Sequence, residues 1–135
     1  MSIEQRSALM SRIRGKGTKP EKVVAELLTS ANISFDEHAA DLPGRPDIVI
    51  RTAKIAVFID GDFWHGWQFE RWRHKLAPEW EKKIAENRRR DKKARADLKN
   101  AGWTVVRLWE HQIKKNAERC VRRLRKLMIF ALAER

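Results

Sequence analysis

The stretch Leu42-Pro43-Gly44-Arg45-Pro46-Asp47-Ile48-Val49-Ile50-Arg51-Thr52-Ala53-Lys54-Ile55-Ala56-Val57-Phe58-Ile59-Asp60-Gly61-Asp62-Phe63-Trp64-His65 decides how this chain is read. Ile48-Val49-Ile50 and Ile55-Ala56-Val57-Phe58-Ile59 are short, β-branched runs joined through Thr52-Ala53-Lys54. Runs of this kind across a short connection form a hairpin, and the Pro-Gly-Arg-Pro segment before them is a turn. In an antiparallel hairpin the start of one strand lies beside the end of the next, so Asp47 and Asp60 are expected to converge. Carboxylates at strand ends hold hard divalent cations through oxygen, and an imidazole as near as His65 can take a proton from water.

Upstream of the hairpin, Ser2 with Gln5 reads as a capping box opening a short helix to about Arg14, which Gly15 and Gly17 end. Its apolar face is little more than Ile3, Met10 and Ile13, which suits residues 1–17 as an arm that orders against a partner. Thr18 and Glu21 make a second capping box, and Val23, Val24, Leu27 and Leu28 supply the apolar stripe of a helix running to about Ser30. Ile33 and Phe35 alternate with polar residues as in a half-buried strand. Downstream, Pro78, the acidic Glu79 and Glu81 and the later Gly102 bracket a long helix over about residues 78–101. Val105, Val106 and Leu108 predict a strand, and Val121, Leu124, Leu127 and Ala131 line one face of a last helix beginning near Asn116. A long helix between strands implies a crossover, so the expected class is α/β, a mixed sheet flanked by helices. No repeat or linker divides the chain, and residues 1–135 read as a single domain.

Lys and Arg number 30 against 18 Asp and Glu, a formal net charge of +12 that favours a polyanionic partner. The excess is concentrated: residues 71–95 carry a net +7 and residues 114–126 a net +6. For the second block a solvated helix face is an equally good reading. Around the first, Trp64, Trp67, Trp72 and Trp80 are interleaved with cations, which suits rings stacking on bases while ammonium and guanidinium groups hold phosphates. No run approaches the roughly 18 apolar residues of a membrane span, and no apolar leader follows Met1, so no membrane role or secretion is expected. The one cysteine, Cys120, allows neither an internal disulfide nor a cysteine-based zinc cage and fits a reducing cytoplasm.

A Pro-Asp pair followed about a dozen residues later by a second acidic strand end is the loose pattern of Mg²⁺-dependent nucleases. With Leu42-Pro43-Gly44-Arg45-Pro46-Asp47, the strand ending in Gly61-x-Phe63-Trp64-His65, and Gly102-Trp103 leading to Trp109-Glu110, the chain resembles the very-short-patch mismatch endonuclease (Vsr) family from about Arg6 to Glu110. That resemblance implies a restriction-endonuclease-like fold, a Mg²⁺ cofactor, and nicking of one strand of double-stranded DNA beside a T·G mismatch in very-short-patch repair; a monomer on DNA is expected. It assigns Asp47 as metal-binding aspartate, His65 as general base, and Glu21 as a glutamate ordering water at the metal. Phe63, Trp64 and Trp80 match rings wedged into the base stack, where insertion costs least at a weakened mismatch. Lys83 and Asn87 match base-contacting residues; with Trp80 and Ile84 they share one helix face. Arg89 and Arg90 are read as phosphate contacts, and Met10 and Ile13 as DNA contacts of the arm.

The chain departs from the family pattern at two places. Asp62 and His111 stand where zinc-holding members have cysteines, and Gly66-Trp67-Gln68-Phe69 replaces a His/Cys cluster, so no zinc is expected and Trp67, Phe69 and Trp72 are expected to clamp the loop instead. Asp60 stands where a second active-site histidine is found, and a carboxylate there can hold Mg²⁺ with Asp47 and the Ile59 carbonyl. Two alternatives stay open: a restriction or mobile-element nuclease without mismatch preference, and a DNA-binding protein without catalysis. Intact Asp47 and His65 count against the latter.

Overall fold

The computed structural model describes residues 19–134. Both ends of the arm helix, Thr18 of the second capping box, Met10 and Ile13 lie outside the described residues. The chain runs through α1 (Lys19–Ser30), β1 (Asp36–Glu37), β2 (Ile48–Ile50), β3 (Ile55–Asp60), a short α2 (Phe69–Trp72), the long α3 (Pro78–Asn100), β4 (Thr104–Trp109) and α4 (Glu110–Ala133). The sheet order follows the chain, β1-β2-β3-β4. β2 pairs antiparallel with β3, Ile48 opposite Val57, and a 3₁₀ turn over Arg51–Ala53 ending at left-handed Lys54 makes the hairpin connection. β3 and β4 run parallel, Ile55 opposite Thr104 and Asp60 opposite Trp109, which is the pairing that a crossover through α3 permits.

The sheet separates two apolar layers by strand alternation. Ile55, Val57 and Ile59 of β3 and Val106 and Leu108 of β4 face a core completed by Val24 and Leu28 of α1 and Ile113, Val121 and Leu124 of α4. Each such fully buried aliphatic side chain contributes about 1.5–3 kcal/mol by leaving water. On the other face lies α3, where the turn before β2 fits beneath it. Gly44 has φ +73°, and a Cβ there would stand 2.6 Å from the Cβ of Ala94 and 3.2 Å from the Phe58 ring, so the close approach needs a glycine. A smaller cluster, Trp64, Phe69 and Ile84 with Phe63, Trp72, Leu76 and Trp80 against it, fixes the loop after β3 to the first half of α3.

Two expectations are corrected, and one element is new. Ile33 is buried, but as the apolar residue of a helix stop rather than in a strand: Asn32 is left-handed (φ +58°), its N–H donates to Thr29 O at 3.0 Å, and that of Ile33 to Leu28 O at 3.0 Å. The strand that follows is only Asp36–Glu37, after Phe35. The last helix begins at Glu110, before Asn116; Asn116 itself leaves helical geometry, and its Oδ1 accepts the N–H of Arg119 at 3.0 Å, restarting the helix at a kink. Finally, α2 fills the span between the Phe-Trp-His segment and Pro78, where aromatic side chains on both sides of the chain hide any helical period.

Candidate active site

Asp47 sits just before β2 and Asp60 ends β3, and both line one pocket of about 310 Å³ together with Glu21, Ile59, Gly61, Trp64, His65, Asp91, Glu110, Lys19 and Lys114. The hairpin, with Ile48 opposite Val57, therefore leaves the two carboxylates at the same end of the strand pair and in one pocket. Asp47 Oδ2 accepts the Ile59 N–H at 2.7 Å, which pins the carboxylate across the strand pair and leaves its other oxygen for a cation. Burial pushes the Asp47 pKa up to about 7; the Ile59 hydrogen bond opposes the rise, and the neighbouring Glu21 and Asp60 charges add to it. Carboxylates crowded in this way favour a bound cation.

Glu21, in the first turn of α1, is buried, and its Oε2 lies 3.6 Å from His38 Nε2. One donor atom from each of Glu21, His38 and Asp47 lies within 4.8 Å of the others, a donor set with the chemistry and span for a divalent cation. Asp60 is placed differently from the expectation: Arg107 of β4 donates from Nε to its Oδ2, and His65 Nδ1 lies 3.6 Å from its Oδ1. Its carboxylate faces a guanidinium and an imidazole, so geometry makes it a charge partner of His65.

His65 Nδ1 lies 2.6 Å from Asp91 Oδ2, on α3. With Nδ1–H donated to Asp91, the other ring nitrogen keeps the lone pair of a base. Burial alone would lower the His65 pKa, but the Asp91 hydrogen bond and the charges of Asp60 and Asp91 outweigh it, and the net direction is upward.

The DNA-facing expectations fare unevenly. Trp64 is only 4% exposed and packs with Phe69 and Ile84, so it is core in this state. The reason is the left-handed Gly66 (φ +75°), whose missing Cβ lets the loop fold down on Arg88 and Phe69. Phe63 is half-buried, stacked on Trp72 with ring centroids 5.5 Å apart. Trp80 is half-buried beside Trp64, and Lys83 Nζ lies 4.9 Å from the Trp64 ring centre and 5.7 Å from that of Trp80. Asn87 Nδ2 donates to the Trp64 carbonyl at 3.2 Å, holding the loop. Arg89 and Arg90 are exposed on α3.

Where cysteines were missing, the clamp is visible. Asp62 Oδ1 and His111 Nδ1 are 2.8 Å apart, and Trp67 lies against His111 and Trp109 at 4.5 and 5.3 Å between ring centres. The Asp62 N–H also donates to buried Glu110, and Trp72 Nε1 to the Trp67 carbonyl at 2.8 Å. Sequence reading missed His38, Asp91 and Arg107. Asp91 was accessible through its helical spacing from Asn87, and Arg107 through its place on the strand face opposite Val106 and Leu108; His38 had no local signal.

A basic α/β domain whose strand ends gather carboxylates and an acid-supported imidazole in one pocket is a nuclease domain of the restriction-endonuclease-like kind. Residues 1–71 match the family described as DNA mismatch endonuclease Vsr. The type II nicking enzyme V.NmeDIP of Neisseria meningitidis serogroup C is 34% identical, with 93% of this chain and 86% of that protein covered. V.XorIIP, a type II nicking enzyme of Xanthomonas oryzae pv. oryzae, is 38% identical over 84% of this chain and 85% of its own length. The DNA mismatch endonuclease Vsr of Escherichia coli K12 is 35% identical over 78% and 69%. The chain belongs to the Vsr endonuclease family, and it is a DNA endonuclease. Among the described residues no helix is long and apolar enough to cross a membrane.

Proposed function

We propose that the protein is a divalent-cation-dependent endonuclease that nicks one strand of duplex DNA at or near a T·G mismatch, with Mg²⁺ as the physiological cation. The observation that carries the chemistry is the pocket in which Asp47, beside Glu21, faces His65 while Asp91 holds that imidazole from behind. Asp47, Glu21 and the Ile59 carbonyl would hold the cation, which when bound polarises a scissile phosphate and lowers the pKa of water. His65 accepts the proton of the attacking water at the ring nitrogen not given to Asp91, and Asp91 with Asp60 stabilises the resulting imidazolium. Hydrolysis leaves a 5′-phosphate and a 3′-hydroxyl. Lys19 and Lys114 at the pocket rim, with Arg89 and Arg90 on α3, supply cations for the backbone phosphates.

Support for the mismatch lies in the family description, in the name of the Escherichia coli relative, and in the Trp80, Lys83 and Asn87 face of α3 beside the pocket. On this reading Phe63 and Trp80 reach the base stack, Trp64 is the floor beneath them, and Met10 and Ile13 of a DNA-binding arm over residues 1–17 complete the grip of a monomer. The burial of Trp64 favours a second reading, a nuclease without mismatch preference. Nicking assays on matched and T·G-containing duplexes of identical flanks separate the two. Faster nicking of the mismatched duplex supports the first, and equal rates select the second. Cleavage that survives a strong chelator would overturn the cation dependence of both.

A further inference from the structure

His38 takes no part in the proton transfer, yet the backbone aims it at the carboxylates. It lies immediately after β1 in the left-handed region (φ +52°), and its N–H donates to the Asp47 carbonyl at 3.0 Å. A non-glycine residue held there costs on the order of 1 kcal/mol or more, so something must over-determine it. The hydrogen bond couples His38 to the residue that opens β2, and its side chain, largely buried, places Nε2 3.6 Å from Glu21 Oε2 and 3.9 Å from Glu37 Oε2. An ion pair would explain contact with Glu21 and Glu37. It does not explain why a ring nitrogen also converges with Asp47, one donor atom from each of the three residues lying within 4.8 Å of the others. Ligand bonds of about 2.1 Å put opposite donors roughly 4.2 Å apart, so side-chain shifts of a few tenths of an ångström would close all three atoms on one ion.

We propose that His38 is a nitrogen ligand of the active-site cation, making the centre a mixed carboxylate–imidazole site that binds a first-row transition ion such as Mn²⁺ more tightly than Mg²⁺. The inference rests on the cation-dependent reading above and refines its ligand set. Imidazole nitrogen is a good donor to transition ions, whereas Mg²⁺ strongly prefers an all-oxygen octahedron. Glu21 and Asp47 alone would serve either ion; His38 shifts the balance.

The test is Mn²⁺ binding by the tag-free full chain, read by electron paramagnetic resonance for affinity and by pulsed measurements for nitrogen coupling. Wild type should bind Mn²⁺ with a directly coordinated nitrogen and more tightly than Mg²⁺ in competition. His38→Gln should lose the nitrogen coupling and weaken Mn²⁺ by about tenfold or more, with a smaller effect on Mg²⁺, whereas His65→Gln should keep the coupling. His38→Asp supplies a second variant, expected to bind Mn²⁺ through oxygen alone; circular dichroism checks that each variant is folded. Nitrogen coupling that persists in a folded His38 variant overturns the proposal. If Asp47→Ala abolishes Mn²⁺ binding while His38→Gln leaves affinity and spectrum unchanged, His38 is excluded and the cation-dependent nuclease stands. Absence of Mn²⁺ binding in wild type, with chelator-resistant cleavage, removes both.

Discussion

Replacing Asp47 by Asn should abolish cleavage and at the same time stabilise the metal-free fold at alkaline pH. Asn keeps the shape and can still accept the Ile59 N–H through its oxygen, but carries no charge. Burial, with Glu21 and Asp60 nearby, raises the Asp47 pKa from an ordinary 3.8 to about 7. The folded state therefore keeps a proton that the unfolded chain releases between those values. Relative to the neutral Asn variant, wild type is unpenalised below pH 3.8 and loses stability as pH rises to about 7. A rise of that size corresponds to at most about 4 kcal/mol, on the order of a third to a half of the stability of a small domain. Urea unfolding of both proteins with chelator, at intervals from pH 4 to 8.5, reads the difference directly. The Asn variant should be nearly equal to wild type at pH 4 and more stable by up to about 4 kcal/mol at pH 8, and Mn²⁺ should restore wild type alone. Parallel stability curves, or equal stabilisation of both by the cation, would refute the crowded-carboxylate account.

Further outcomes test other parts of the site. His65→Ala should lower cleavage by about 10²–10⁴-fold. Asp91→Ala removes the hydrogen bond and charge that raise the His65 pKa, so the acid limb of its pH–rate profile should move to lower pH; an unmoved limb would separate Asp91 from the base. Trp64→Ala should cost about 3–5 kcal/mol in urea unfolding as a buried ring is lost, and a variant that stays fully stable but fails only on mismatched DNA would return the ring to the DNA surface. Neutralising Arg89 should weaken matched and mismatched duplexes alike and flatten the log–log salt dependence by about one. Elemental analysis should find no stoichiometric zinc, and Asp62→Ala should speed proteolysis between residues 61 and 75; one tightly held zinc per chain would contradict the Asp62–His111 clamp.

Local chemistry makes much of this molecule readable in its sequence. The β-branched runs flanking Thr52-Ala53-Lys54 fix the hairpin, and its geometry alone carries Asp47 to Asp60. Pro78 and Gly102 mark α3 because each acts on its own backbone; Gly102 stops the helix with Trp103 N–H donating to Leu98 O at 3.0 Å. What escaped was set by distant parts of the chain. Ile33 looks like a strand residue because a helix stop and a strand both bury every second side chain over so short a span. Trp64 looks exposed beside Gly61 and Asp62, and only the descent of the loop at Gly66 onto α3 buries it. The role of Asp60 depends on Arg107, which parallel pairing of β3 with β4 brings alongside, and His38 depends on a turn whose left-handed backbone nothing in its neighbours announces.

The crossover helix grips the loop after β3 on successive turns: Asn87 at the Trp64 carbonyl, Arg88 over the Phe69 ring at 5.4 Å, and Asp91 at His65. Its neighbouring positions, Lys83, Arg89 and Arg90, are exposed to solvent. One rigid rod thus serves as the lever arm of the imidazole and as a surface available to the duplex. On the proposed mechanism, a duplex that tilts or shifts this rod would displace His65 with it, converting poor seating of the substrate into poor alignment of the reaction. For the same reason, a substitution that retunes the outer surface of the rod would also be felt by the loop at residues 64–70 that it holds.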